Sequence, residues 1–250
     1  MAAEFRLGVQ SYCFRKFEAP GPLTEALGGL GFRYVELFPG HFSVERATDE
    51  QVAELERYRA AGIAVDSYGV CRFGEDEAAA RRILAFCKLA GIRAVSADPD
   101  PGALDLCQRL ADEYDVNLAV HNHGRKHRYG SVEQLDDLFG RTGPRIGLCL
   151  DTAWLIDAGG DPVAAADRYA ERLYGVHLKD FAYDTGDETG DSRRDVIIGT
   201  GNLDLPAFVG KLAEVGFGGY MSLEYEGNPD DPSDEVRQCL DAVRAAMPAA

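Results

Sequence analysis

Short apolar runs alternate eight times with longer amphipathic stretches, and this alternation constrains the fold of the 250-residue chain more than any other feature. Short, mostly apolar runs are typical of strands buried on both faces. Strict alternation with helices favours a parallel sheet, and eight units favour a closed β/α barrel. The predicted strands are FRLGVQSY from Phe5, RYVELF from Arg33, IAVDSYGV from Ile63, IRAVSA from Ile92, VNLAVH from Val116, RIGLCL from Arg145, LYGVHL from Leu173 and GYMSLEY from Gly219.

The segments between these strands carry helix signals. DEQVAELERYRAAG and DEAAARRILAFCKLAG begin with acidic residues and end at Gly62 and Gly91, which are the usual start and stop signals. Pro162 lies in the first turn of DPVAAADRYAERL, and Ser131 opens SVEQLDDLF with a capping box. Two more helices are predicted for LDLPAFVGKLAEVG, which closes at Gly216, and for DPSDEVRQCLDAVRAAM.

The chain is predicted to form one domain. No G-x-G-x-x-G follows the first strand, so a dinucleotide-binding open sheet loses its main support. No low-complexity linker divides the sequence, and residues 1–250 are therefore predicted to form a single TIM barrel. The polar, glycine-rich segment at 183–195 is predicted to be a mobile loop after the seventh strand and a candidate lid.

Composition limits the partners and the compartment. The net charge of −16 repels a phosphate backbone, so nucleic acid is not an expected partner. No apolar stretch approaches about 20 residues, and the N-terminus has no basic flank or cleavage pattern, so we expect neither a membrane span nor a signal peptide. The cysteines are scattered without a C-x-x-C pair, which indicates reduced, buried thiols in a cytoplasmic protein. They are Cys13, Cys71, Cys87, Cys107, Cys149 and Cys239.

Polar residues collect at the ends of the predicted strands, where β/α barrels carry their catalytic groups. The chain has five histidines, yet two stand at one strand end and a third at another, which favours a functional cluster over isolated core histidines. The residues collected in this way are Glu36, His41, Asp66, Asp98, His121, Asn122, His123, Asp151, His177, Lys179, Asp180, Glu224 and Glu226.

The alternation of side chains along a strand selects a candidate metal site. Asp151, His177 and Glu224 all point into the barrel from three adjacent strands. Two carboxylates and an imidazole suit Mn²⁺, Mg²⁺, Co²⁺ or Zn²⁺, and His121 of the fifth strand would supply a fourth ligand. The competing interpretations are that Asp151 only caps the following helix and that each histidine is a satisfied core residue. Trp154, which follows the turn at Asp151, is predicted to form part of the pocket wall.

Six segments resemble the xylose isomerase-like barrel superfamily of sugar phosphate isomerases and epimerases. They are VELFPGHF, AVHNHG, IGLCLDTAW, VHLKD, GTGNLDLPAF and MSLEYE. Their order and spacing from the second to the eighth strand are specific for the superfamily but not for one reaction. The resemblance implies one divalent metal, with manganese favoured, bound at the positions of His121, Asp151, His177 and Glu224. It also implies a small carbohydrate substrate and a homo-oligomer.

The chain departs from the family pattern at two positions. His121 stands where a glutamate is usual, and Trp154 stands where many relatives have a histidine. The resemblance implies a mechanism in which two carboxylates remove and return a proton on the carbon beside a carbonyl. One of these two carboxylates is missing here. The imidazole also makes the metal site more positive by one charge, which strengthens its attraction for an enediolate oxygen.

Two functions remain open for a barrel with this candidate metal site. The first is a metal-dependent sugar or cyclitol isomerase or epimerase that acts through an enediolate. Its predicted catalytic groups are Glu224, with His123 or Glu36 as proton partner, and Lys179 beside the developing oxyanion.

The second function is a lyase on a keto-sugar or keto-cyclitol. A histidine of the fifth strand would then act as acid or base, as in relatives that dehydrate inososes or dehydroshikimate or cleave C-glycosides. In both functions His41, Asp98 and Trp154 are predicted to contact the substrate. A nuclease similar to endonuclease IV is disfavoured by the five histidines and the −16 charge, and a non-enzymatic barrel is disfavoured by the complete ligand set.

Overall fold

A computed structural model describes residues 5–187 and 189–248. The strands are β1 (Arg6–Gln10), β2 (Tyr34–Leu37), β3 (Ala64–Tyr68), β4 (Cys71–Phe73), β5 (Ala94–Pro99), β6 (Asn117–His121), β7 (Ile146–Asp151), β8 (Leu173–Leu178), β9 (Phe181–Ala182), β10 (Arg194–Asp195) and β11 (Tyr220–Leu223). The α-helices are α1 (Pro20–Gly29), α2 (Thr48–Ala60), α3 (Glu77–Ala90), α4 (Leu104–Tyr114), α5 (Val132–Arg141), α6 (Thr152–Asp157), α7 (Pro162–Arg168), α8 (Leu205–Glu214) and α9 (Ser233–Ala246).

The parallel sheet closes into a barrel at its third predicted strand. The strand order is β3-β2-β1-β11-β8-β7-β6-β5-β4, and its two edges, β3 and β4, follow one another along the chain. The run predicted as one strand from Ile63 forms β3 only, and a separate short strand, β4, follows beyond its end, which corrects the sequence interpretation. Gly69 marks the division: its N–H donates to Leu37 O at 3.0 Å, while a Cβ on it would lie 2.5 Å from Ser96 O. The third barrel position is therefore filled by two strands, β3 paired with β2 and β4 paired with β5, and the chain passes between them at a point where only glycine fits. The predicted TIM barrel is confirmed.

The barrel has an inner and an outer apolar layer. Leu148 and Leu150 lie in the outer core, whereas Cys149 belongs to a small inner cluster, as the predicted alternation in β7 requires. The inner cluster sits around Tyr220, and a Cβ on Gly175 would lie 2.2 Å from the ring of Tyr220, so this glycine makes room for the ring. All six cysteines are buried and free, as predicted.

The helix ends follow the predicted signals. Ser131 Oγ accepts from Gln134 N at 3.3 Å, and Gln134 Oε1 accepts from Ser131 N at 3.0 Å, which forms the capping box of α5. Gly91 ends α3 with a φ of +76°, and Pro162 opens α7. Helices α1 and α4 form where the sequence patterns singled out none. None of the helices in the described ranges is long and apolar enough to cross a membrane.

The segment predicted as a loop at 183–195 is described by the structure at 183–187 and 189–195. β10, at the end of this segment, pairs antiparallel with β9, which precedes it. The carboxylate of Asp187 accepts the backbone N–H groups of Thr189, Gly190 and Ser192. Residue 188 lies outside the described residues, and mobility of the loop remains a prediction.

A buried carboxylate anchors the turn that leads towards α8. Asp180 is 1% exposed and follows β8 directly. Its two oxygens accept four backbone N–H groups at 2.8–3.1 Å. The donors belong to Gly199, Gly201, Asn202 and Leu203.

Replacing Asp180 should destabilise the whole barrel. Asp180→Ala leaves four amide donors without their acceptor, and we expect the free energy of unfolding to fall by about 3 kcal/mol or more. Urea denaturation followed by circular dichroism measures this change. Asp184→Ala is the control, since the Asp184 side chain is 75% exposed and should change stability by no more than about 0.5 kcal/mol. Equal losses in the two variants would contradict the role of Asp180.

Candidate metal centre

Four buried side chains converge at the C-terminal ends of four adjacent strands. One ligand atom from each of them lies within 4.8 Å of the others. They come from the ends of β6, β7, β8 and β11, which are neighbours in the sheet. The four residues are His121, Asp151, His177 and Glu224. The predicted convergence is therefore present in the structure.

The distances within this cluster fit a shared proton or a shared metal ion. His121 Nε2 lies 3.0 Å from His177 Nδ1 and 3.4 Å from Asp151 Oδ2. His177 Nδ1 lies 3.2 Å from Glu224 Oε2. Two imidazole nitrogens at 3.0 Å repel each other if both present lone pairs, unless a proton or a metal ion stands between them. Two imidazoles and two carboxylates form a donor set that suits a divalent metal.

Asp151 is both a helix cap and a candidate ligand. Its Oδ1 accepts from Trp154 N at 2.8 Å and so caps α6. Its Oδ2 is buried and accepts no hydrogen bond from any residue that the structure describes. A buried carboxylate oxygen without a partner is costly, and a metal ion at the cluster would satisfy it. The two interpretations of Asp151 are therefore compatible, since each oxygen has its own role.

The outward-facing nitrogen of each histidine has its own acceptor. His177 Nε2 lies 2.8 Å from Glu36 Oε2, which also accepts from Ser222 Oγ at 2.8 Å. The N–H of His177 therefore belongs on Nε2, and the lone pair of Nδ1 faces the cluster. His121 Nδ1 lies 3.4 Å from His123 Nδ1, so a proton on His121 Nδ1 leaves its Nε2 lone pair for the cluster. Glu36 and His123 thus orient the two imidazole ligands.

Burial and nearby charge shift the pKa values of the cluster. Burial raises the pKa of Asp151 to about 6, because a carboxylate is poorly solvated there. Burial also opposes ionisation of Glu224, but Lys179 and His177 hold the pKa of Glu224 below its ordinary value. Burial alone would lower the pKa of His177, whereas Cys149 and Glu36 beside it raise that pKa. Near neutral pH both carboxylates therefore favour the ionised form, and the negative charge around His177 favours a positive charge among the four side chains.

A cavity of about 280 Å³ opens above the cluster, and we call it the mouth cavity. Its walls include ligand, candidate catalytic and aromatic side chains. Among them are Tyr12, His121, His123, Trp154, Glu224 and Glu226. A small polar molecule in this cavity would contact both the ligand cluster and His123. The predicted placement of Trp154 in the pocket wall is consistent with this geometry.

Lys179 is a buried cation beside the cluster. It is 1% exposed, and its Nζ lies 3.9 Å from Glu224 Oε2 and contacts Glu226. Burial lowers the pKa of Lys179, but the carboxylates of Glu224 and Glu226 raise that pKa above its ordinary value. Lys179 therefore stays charged beside Glu224 and Glu226, which line the mouth cavity. Glu226 stands two residues after Glu224, a spacing that predicts the same face, and it lines the mouth cavity as well.

Two predicted substrate contacts lie outside the walls of the mouth cavity. Both ring nitrogens of His41 are engaged, with Ser11 Oγ at 3.0 Å and Phe14 O at 3.0 Å. Asp98 pairs with Arg128 at 2.6 Å. A role of His41 or Asp98 in substrate binding therefore remains a prediction that would need a larger substrate or a movement of these loops.

Removing the acceptor behind His177 should weaken metal binding. Glu36→Gln replaces a carboxylate by a neutral amide, so His177 loses the negative charge that fixes its orientation and raises its basicity. We expect the dissociation constant for Mn²⁺ to rise by about 10- to 100-fold in calorimetric titrations.

Glu54→Gln is the matched control, because Glu54 is also buried but pairs with Arg57 on α2. Its dissociation constant for Mn²⁺ should equal that of the unaltered protein. Unchanged Mn²⁺ binding in Glu36→Gln would contradict the orienting role of Glu36.

Comparison with known proteins places this geometry in a family. The family model described as xylose isomerase-like TIM barrel matches residues 25–245. Rhizopine catabolism protein MocC of Rhizobium meliloti is 35% identical over 140 residues, which are 50% of this chain and 41% of that protein. Inosose dehydratase of Geobacillus kaustophilus is 32% identical over 142 residues, which are 51% of this chain and 43% of that protein. The matched segment is less than half the length of either relative.

A solved structure extends the likeness to the whole chain. The crystal structure of the IOLI protein with a bound zinc atom superposes with a TM-score of 0.75 at 17% identity, covering 98% of this chain and 100% of that one. At this identity the likeness concerns the fold. The family match over most of the chain and the ligand cluster at the barrel mouth agree, and the chain belongs to the xylose isomerase-like TIM barrel family.

Proposed function

We propose that this protein is a divalent-metal-dependent isomerase or epimerase that moves a proton next to the carbonyl of a keto-sugar or keto-cyclitol. The observation that carries the proposal is the four-ligand cluster at the base of the mouth cavity. Such a cluster places a Lewis acid within reach of a substrate that fills the cavity. Manganese is the ion we favour among Mn²⁺, Mg²⁺, Co²⁺ and Zn²⁺.

The metal site has one chemical task in this proposal. When His121, Asp151, His177 and Glu224 hold a divalent ion, the ion lowers the energy of negative charge on the substrate's carbonyl oxygen. That charge develops as the neighbouring carbon loses its proton and an enediolate forms. All further steps belong to side chains of the chain itself.

Glu224 is the proposed base. It lines the mouth cavity and is held ionised by Lys179, so its carboxylate can accept the proton from the substrate carbon. His123 lines the same cavity and is the proposed partner. Because His123 Nδ1 faces His121 Nδ1, the N–H of His123 belongs on Nε2, where it can donate to a substrate oxygen.

Lys179 is proposed to stabilise the developing oxyanion from its buried position beside Glu224, which lines the mouth cavity. Its charge is buried between carboxylates and packs 5.8 Å from the centroid of the Trp154 ring, so it is fixed before substrate binds. A preorganised cation of this kind lowers a barrier without reorganising during the reaction. Glu36 supports His177 rather than facing the mouth cavity, and its proposed role is therefore positioning.

A lyase is the second candidate, and the His121–His123 pair is the observation that favours it. A neutral histidine beside the substrate can take up the proton removed from the carbon, and the resulting imidazolium can give a proton to the leaving hydroxyl, which leaves as water and returns the histidine to its neutral form. The imidazole at the position of His121 also removes the second carboxylate that would return the proton. The relative named inosose dehydratase supports this alternative over half of the chain.

Solvent isotope exchange tests the proposal. In D₂O with Mn²⁺, we expect deuterium to enter the carbon next to the carbonyl of one member of a panel of ketoses, inososes and 3-keto-glycosides. Proton NMR detects the exchange, and the product distinguishes the candidates. An epimer or isomer supports the first function, and an unsaturated ketone supports the lyase. Absence of exchange across the panel would contradict both.

Removal of the buried cation tests the role of Lys179. Lys179→Met keeps most of the apolar volume and removes the charge, so we expect kcat to fall by about 10²- to 10³-fold. Metal content should stay at one ion per chain, since Lys179 is not a ligand. Lys211→Met is the control, because Lys211 pairs with Asp167 and Glu214 on the outer helices. Unchanged kcat in a folded, metal-loaded Lys179→Met protein would contradict the proposed role.

A further inference from the structure

We propose that Glu226 accepts a hydrogen bond from one hydroxyl group of the substrate and so determines which polyhydroxylated ketone the mouth cavity binds. This inference rests on the proposed function and adds a specificity-determining residue to it. Two carboxylates, Glu224 and Glu226, line the mouth cavity. Glu224 is a candidate metal ligand and the proposed base, so Glu226 is the carboxylate that metal binding and proton transfer leave for substrate recognition.

The two oxygens of the Glu226 carboxylate have different surroundings. Oε1 accepts a hydrogen bond from Lys179 Nζ, which is buried beside Glu224. Oε2 accepts no hydrogen bond from a residue in 5–187 or 189–248. The side chain is 30% exposed and lines the mouth cavity, so Oε2 is the oxygen that a bound molecule can reach.

The backbone of Glu226 is held from both sides. Its N–H donates to Asp195 Oδ1 at 3.3 Å, and its carbonyl oxygen accepts from Arg15 Nη2 at 2.9 Å. These two partners follow β8 and β1 along the chain, and β8 and β1 flank β11 in the sheet. With Lys179 on its Oε1, Glu226 is fixed before substrate binds, and little conformational entropy is lost when Oε2 accepts a hydroxyl.

A carboxylate oxygen in this position selects a hydrogen-bond donor. A hydroxyl donates more strongly to an ionised oxygen than to a neutral acceptor, whereas an ionised carboxylate or phosphate has no proton to donate. The amide of Gln10, another polar group of the cavity wall, is already engaged on both atoms. Its Nε2 donates to Gly69 O at 3.1 Å, and its Oε1 accepts from Tyr12 N at 3.1 Å.

Aromatic rings form much of the remaining wall. Tyr12, Phe38 and Trp154 line the mouth cavity, and the rings of Tyr12 and Phe38 pack edge to face with 4.8 Å between their centroids. Such walls contact the C–H groups of a small molecule, while a few fixed polar groups determine its orientation. Glu226 is therefore placed to determine how a polyol lies between the aromatic rings and the ligand cluster.

Polyols that cannot react test the inference without proton transfer. myo-Inositol, D-glucitol and D-mannitol carry hydroxyl groups but no carbonyl, and calorimetric titration measures their binding to the metal-loaded protein. We expect the tightest of these probes to bind about tenfold or more weakly to Glu226→Gln, because the amide loses the charge that strengthens the hydrogen bond. Failure of all three to bind the unaltered protein would overturn the inference.

Asp195→Asn is the matched control. The Asp195 carboxylate lies 3.8 Å from Lys179 Nζ but is not among the described walls of the mouth cavity. The asparagine keeps an oxygen that can accept from the N–H of Glu226, so this variant removes one negative charge beside Lys179 and leaves Glu226 in place. Its affinity for the polyol should equal that of the unaltered protein, and equal weakening in the two variants would overturn the inference.

Monodeoxy analogues of the same polyol then identify the contact. In the unaltered protein, loss of one particular hydroxyl should weaken binding by about tenfold, and in Glu226→Gln the same loss should have little further effect. A variant that only disturbed Lys179 or the fold would weaken the polyol and all its analogues by the same factor. Such uniform weakening would overturn the inference.

The kinetics of proton exchange separate this inference from the proposed function. For a ketone that exchanges its carbon-bound proton in D₂O, Glu226→Gln should raise KM and leave kcat nearly unchanged, since a contact made equally in the ground state and the transition state is lost. A fall in kcat at unchanged KM would overturn the inference and leave the proposed function intact. Polyol binding that depends on Glu226, without proton exchange in any sugar, would support the contact and count against the proposed function.

Discussion

Two imidazole nitrogens held 3.0 Å apart between buried carboxylates form the constraint on which the rest of this structure depends. His121 and His177 can face each other so closely only if a proton or a metal ion lies between their nitrogens, and Asp151 supplies an oxygen that otherwise has no partner among the described residues. Two neighbouring side chains stabilise this arrangement of imidazoles and carboxylates. Glu36 orients His177, and Lys179 keeps Glu224 ionised.

The barrel makes this arrangement possible because parallel strands end at one rim. Four adjacent strands contribute one candidate ligand atom each, and side chains at or after these strand ends line the mouth cavity. Asp180 anchors the turn after β8, and Arg193 stacks over the Trp154 ring. The candidate metal centre and the cavity above it are therefore both built by the strand ends and their adjoining loops.

The sequence predicted the barrel and the convergence of the candidate ligands because both depend on short-range periodicity. Alternation along single strands is enough to place Asp151 and His177 on the inner face. It could not place Glu36 behind His177, since that contact depends on the register between distant strands. It also missed the separate strand β4 after Gly69, where the constraint is the approach of another strand's backbone.

The most direct test of this account is anomalous diffraction from crystals of the protein grown with Mn²⁺, with data collected at the manganese absorption edge. We predict one strong anomalous peak per chain, in contact with His121 Nε2, Asp151 Oδ2, His177 Nδ1 and a carboxylate oxygen of Glu224. A peak bound by the carboxylates but not by His121, or no peak among these four residues, would contradict the central claim.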